Sequence, residues 1–157
     1  MPQQISLLAI VIGLAIVLPL VLLFGAVLLR AGISLYNRFV GGPESPKAVP
    51  EPSFNKAMKI VLLVGVINML IGAASELTLE LVLDAGQLNS RLIEGLQGFA
   101  SFAIGIMVMA AVLQRMLPTR PGRAIGASLC HTLACCLFAG VILAVAFSVS
   151  VVAAAIM

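Results

Sequence analysis

The sequence predicts an all-α chain: a polytopic membrane protein folded as a four-transmembrane-helix bundle. Three observations carry that prediction. Hydrophobic residues make up 62% of the 157 and charged residues only 10%, with a mean hydropathy of +1.20. Soluble domains carry about half apolar and about a quarter charged residues. Four apolar segments each reach the roughly 20 residues that a helix needs to cross hydrocarbon. Most remaining charges fall between those segments. The expected spans are about 5–29, 58–83, 92–113 and 124–148, in a single domain over 1–157, with loops about 30–57 and 114–123. A chain of this length holds one small bundle and no separate soluble catalytic domain.

The first segment, Met1 to Leu29, contains no charged side chain. A cleaved leader needs a basic start and a shorter apolar core, so the segment reads as a retained span. Pro19 removes one backbone donor and introduces a packing bend. From Arg30 the pattern turns amphipathic. Arg30, Ser34, Asn37 and Arg38 share a face, which predicts a helical extension reaching into the headgroup layer. Gly41-Gly42-Pro43 ends it, and Glu44 to Pro52 carries three more prolines, the mark of an irregular linker.

Ser53 is the expected N-cap of the second helix, with Lys56 and Lys59 at its headgroup end. Gly86 and the Gln-Leu-Asn-Ser that follows predict a tight turn, with Asn89 or Ser90 capping the third helix. Gln114 and Arg115 close that helix, and Leu117 to Arg123 is a short basic turn. Ala124 to Met157 is then apolar and uncharged. It is longer than hydrocarbon thickness, so its end must tilt, fray or project.

Within this framework one stretch stands out. Asn68, Gly72, Glu76, Glu80 and Asp84 recur every four residues in an apolar helix, a slowly drifting polar stripe. A carboxylate facing lipid has no partner, so the stripe is expected to face protein, water or a cation. Glu94, Gln97, Gly98, Ser101 and Gly105 form a second stripe on the third helix, suited to lie against the first, and Arg91 falls at the turn of this hairpin. The candidate polar or ion site is therefore Asn68, Glu76, Glu80, Asp84, Arg91, Glu94 and Gln97. Two readings stay open. The carboxylates could exchange protons or hold a hard cation, or they lie near the interface with Arg91 clamping the hairpin. Their place toward the helix ends favours the second.

A candidate helix-packing face lies on the last helix: Gly122, Gly126, Cys136, Gly140, Ala144 and Ser148, in a row with Ser128 and Thr132. Small residues let backbones approach where lipid tails leave packing and hydrogen bonds as the selective glue. Packing within the monomer is preferred to a dimer face.

Cys130, His131, Cys135 and Cys136 are the other reactive group. His131 and Cys135 are one turn apart, but no second Cys or His cluster completes a tetrahedral zinc site, and haem lacks a second axial histidine. No metal or cofactor is expected, and the cysteines read as small packing residues. Nucleotide-binding, HExxH and nucleophile-elbow motifs are missing, so no enzyme is expected and no catalytic residue is assigned.

Arg30, Arg38, Lys47, Lys56 and Lys59 flank one connection and Arg115, Arg120 and Arg123 the other, with Arg91 alone opposite. The positive-inside rule then puts both basic loops in the cytoplasm and both termini outside a cell inner or plasma membrane. These basic residues anchor topology, so nucleic acid is not an expected partner. The expected partners are the lipid bilayer and either further copies of the chain or other membrane proteins. The expected role is a small membrane scaffold or accessory subunit acting through small-residue helix faces. The alternative is an ion- or proton-coupled transporter or channel subunit using the acidic face of helices two and three.

Overall fold

A computed structural model describes residues 2–84 and 90–156, with side chains over 12–13, 15–78 and 95–150. Among these residues the chain is four helices: α1 Pro2–Phe39, α2 Phe54–Asp84, α3 Ser90–Met116 and α4 Pro121–Ile156. Each contains a stretch long and apolar enough to cross a membrane, namely Ala15–Phe39, Phe54–Thr78, Gly95–Met116 and Pro121–Ser150. The helices outrun the expected spans at both ends. Hydropathy marks the part that avoids water, while backbone hydrogen bonding carries a helix on until a breaker or a cap stops it.

Those stops are local. Gly41 and Gly42 have φ of 105° and 94°, a region costly for side chains with a Cβ. With Gly41 there, the Gly42 N–H reaches back to the Asn37 carbonyl at 2.8 Å, the six-to-one bond of a Schellman terminus. α2 starts where the Ser53 carbonyl accepts from the Ala57 N–H at 2.9 Å. α4 starts with Pro121, where a missing N–H costs nothing, and the Arg120 carbonyl accepts from Arg123 and Ala124 at 3.0 and 3.1 Å. Pro19 lies inside α1 without ending it. The expected turn around Gly86 falls largely at 85–89, outside the described residues.

The helices form a ring in which α1 packs on α2 and α4, and α3 packs on α2 and α4. Neighbours run antiparallel. Asn68 lies by Gly105 while Ser75 meets Gln97, and Gly32 lies by His131 while Tyr36 meets Gly126. Both described loops therefore come to one end of the bundle. There Leu29, Ile33, Ile60, Leu113 and Val49 are fully buried.

Val49 belongs to the loop, and Asn37 holds it there. The Asn37 carboxamide donates to the Val49 carbonyl at 2.9 Å and accepts the Val49 N–H at 2.8 Å. Asn37 is 3% exposed, so it does not join Arg30 and Arg38 on the headgroup-facing side; those two are exposed. A carboxamide offers a donor and an acceptor side by side, the pattern of a strand edge, and so it can satisfy one loop residue's backbone completely. The proline-rich linker is thereby folded back as a lid on the core.

Candidate functional site

Midway along the bundle a cavity of about 240 Å³ lies between α2, α3 and α4. From α2 it takes Asn68, from α3 Ser101, Gly105 and Met109, and from α4 His131, Thr132 and Cys135. The α3 residues are spaced by four and so form one row along the helix, as do His131 and Cys135 on α4. The cavity is not sealed, since Asn68 and Ser101 in its wall are exposed.

Two devices hold the walls. Ser128, fully buried, donates from Oγ to the Ile106 carbonyl at 3.0 Å and ties α4 to α3. On the other side of α4, Gly32 of α1 lies against the His131 backbone. A Cβ at residue 32 would come within 2.5 Å of the His131 Cα, well inside van der Waals contact, so α1 can lean here only without a side chain. Thr132 Oγ1 donates to the Ser128 carbonyl at 3.0 Å. Cys135 Sγ lies 3.6 Å from His131 Nε2 and 3.9 Å from Nδ1.

The two expected polar stripes meet, through a partly different set of residues. Gln97 Nε2 donates to Ser75 Oγ at 3.4 Å, and Ser75 Oγ donates in turn to the Gly72 carbonyl at 2.8 Å. Asn68 Nδ2 faces Gly105, 3.9 Å from where a Cβ would stand. Glu76 is exposed. Helix geometry accounts for this. A four-residue step overshoots a full turn by about 40°, so Glu76 is about 80° round from Asn68, whereas a seven-residue step returns to within about 20°. Ser75, seven residues from Asn68, keeps the line. A seven-residue spacing is the signal that would have picked it out. The side chains of Glu80, Asp84, Arg91 and Glu94 lie outside the described residues.

The same drift spreads the row of small residues on α4. Gly126 packs under the Tyr36 ring, and Ser128 is buried. Gly122 and Gly140 would meet nothing within 4 Å if given a Cβ. Cys136, Ala144 and Ser148 are exposed, and Ser148 Oγ bonds back to the Ala144 carbonyl at 2.8 Å. All three cysteines are free thiols. An apolar groove between α1 and α4, about 460 Å³, runs past Phe24 and Phe138, whose rings stack with centroids 5.9 Å apart.

Comparison with protein-family models, curated protein sequences and solved structures finds no match to this chain.

Proposed function

We propose that the chain is a multi-pass membrane protein that works as a small scaffold or accessory subunit and associates with other membrane chains through α4. In this reading the four apolar helices cross the bilayer, the two basic loops lie in the cytoplasm, and both termini lie outside. The role is one of association, without catalysis. One observation carries it. The first turns of α4 are used inside the monomer, with Ala124, Ala127 and Ser128 buried, whereas every residue from 137 to 150 is exposed. That exposed part contains Gly140, Ala144 and Ser148. A helix that only needs to meet lipid gains nothing from small groups, but a helix that meets another helix does.

The test is recovery from native membranes in a mild detergent. The wild-type chain should come out with a second membrane chain, or with itself, in fixed ratio. Gly140→Leu with Ala144→Leu should release that partner while leaving the monomer folded. A partner-free monomer in both cases would overturn the proposal.

A second reading, ion or proton transport, draws support from the polar cavity, because Asn68 lines it and the Ser75–Gln97 contact continues its polar line toward the acidic end of α2. Flux of protons or cations into liposomes containing the purified chain, abolished by Glu80→Gln, would favour transport. Tight liposomes would remove it.

A further inference from the structure

The cavity at mid-bundle is closed toward the loops and open toward the other end. Four residues from Val64 in the loop direction stands Ile60, four from Met109 stands Leu113, and four from His131 stands Ala127, all three fully buried. That layer is an apolar floor. In the opposite direction, four residues from Asn68 is Gly72, where a Cβ would meet nothing within 4 Å, and four from Cys135 is Ala139, which is exposed. Residues 137–150 of α4 are all exposed, and a stretch of that length circles a helix about four times. The side of α4 turned toward the middle of the bundle is therefore uncovered with the rest. The cavity itself lies inside the ring. Among the described residues α2 and α4 each pack on α3 and not on one another, so a space bordered by all three is on the inner side of α3.

We propose that this space is an aqueous half-channel, which brings water and small hydrophilic solutes from the loop-free end to Asn68, His131 and Cys135 and stops at the apolar floor. Among the described residues neither the Asn68 carboxamide nor the Ser101 hydroxyl has a hydrogen-bond partner, and both are exposed at mid-bundle. Hydrocarbon offers such groups nothing, and an unpaired polar group there is strongly disfavoured. Water supplies the missing partners. The space is large enough, at about 240 Å³ against about 30 Å³ for one water in the liquid. Its polar wall comes from three helices, with Asn68 on α2, Ser101 on α3, and His131 and Thr132 on α4, and a held water needs two to four such groups. Val64, Phe102, Ile106 and Met109 complete the wall. The polar line also continues toward the open end, where Gln97 donates to Ser75 at 3.4 Å. Beneath the cavity Ile60, Leu113 and Ala127 offer no polar side chain, so a solute enters and leaves by the same mouth. The inference uses the membrane placement proposed above and is independent of the association role.

The test is the reaction of Cys135 with a membrane-impermeant, positively charged methanethiosulfonate. The thiolate attacks the reagent's sulfenyl sulfur, a disulfide forms and methanesulfinate leaves. Only the thiolate attacks, and apolar surroundings suppress it, so the rate reports water at the sulfur. The full chain is used in sealed membranes, right-side-out and inverted, with Cys130→Ser and Cys136→Ser so that Cys135 is the only thiol. Lys47→Cys, at an exposed linker position in a chain whose three native cysteines are serine, marks the loop face. Cys135 should react from the face opposite to that mark. It should also react at least about tenfold faster than Cys136 kept as the only thiol, which α4 turns about 100° away from the cavity. Ser101→Phe, which fills the cavity, should abolish the reaction with helix content unchanged, whereas Ser101→Ala, which leaves the space open, should retain it. A loop mark found outside would reverse the orientation given above and leave the half-channel standing, provided that Cys135 still reacts from the other face. The half-channel is overturned by no reaction from either face, by reaction from the loop face, by a rate no greater than that of Cys136, or by an unchanged rate in Ser101→Phe.

Discussion

At the end of the bundle where the described loops lie, Leu29, Ile33, Ile60 and Leu113 are fully covered, whereas beyond the cavity residues 137–150 of α4 are exposed without exception. The exposed stretch of α4 carries no charge, whereas Arg30, Arg38, Lys56 and Lys59 flank the covered end, so hydrophobicity does not explain the difference. What differs is specific structure. The covered end has a carboxamide holding a loop, a serine bonded across helices, and glycines where backbones cross. At the other end large side chains of α1 and α4 line an open apolar groove and touch at the Phe24–Phe138 stack, while Gly140, Ala144 and Ser148 are left exposed. In a bilayer, apolar surface alone does not draw helices together, because lipid tails are as apolar as leucine. Close packing concentrates where hydrogen bonds and small residues permit it, and the remainder is left for lipid or another chain.

That comparison can be broken from its strongest point downward. Asn37→Leu removes both bonds to Val49 and strands a buried N–H and C=O. At about 1–3 kcal/mol for each of the two buried groups left unpaired, a loss of roughly 2–6 kcal/mol is expected in the free energy of unfolding in mixed micelles. A change near zero would mean that the linker does not close the core. Gly32→Ala should cost about 1–3 kcal/mol by overpacking, and the α1–α4 distance measured between spin labels should grow. Ser128→Ala should cost only about 0.6 kcal/mol, the usual size of a hydrogen bond between membrane helices; a loss several times larger would show that the bond to Ile106 anchors α4 outright.

The smallest effect sharpens the contrast most, because its sign is opposite. Gly140→Ala meets nothing within 4 Å, so in the isolated chain it should be neutral or stabilising, by at most about 1 kcal/mol of helix propensity. The same glycine-to-alanine change thus separates the two regions. If Gly140→Ala destabilises the purified monomer as Gly32→Ala does, the distinction between a finished end and an open one fails.

Much of this was legible in the residues. Four helices follow from four long apolar segments, and the break after α1 follows from Gly41-Gly42-Pro43, because composition and backbone freedom act locally. The facing of α2 and α3 was legible too, in the stripes containing Asn68, Gln97 and Gly105. Ser75 was not, because a four-residue row was followed where a seven-residue one stays in register. Asn37 read as a headgroup-facing residue since its neighbours Arg30, Ser34 and Arg38 are polar. Only the return of the linker, with Val49 beneath it, supplies the backbone edge that a buried carboxamide requires. Met109 gave no signal at all, being one of seven methionines in an apolar chain.

Chain composition and periodicity were sufficient for the number of helices, the order in which they follow one another, and the clustering of basic residues in and beside two of the connections. These are properties of each segment against its solvent. The cavity and the pairing of Gly32 with His131 required the assembled bundle. Each depends on how far one helix is rotated about its axis relative to another, and a rotation of one residue, about 100°, would leave every segment equally apolar while dispersing the site.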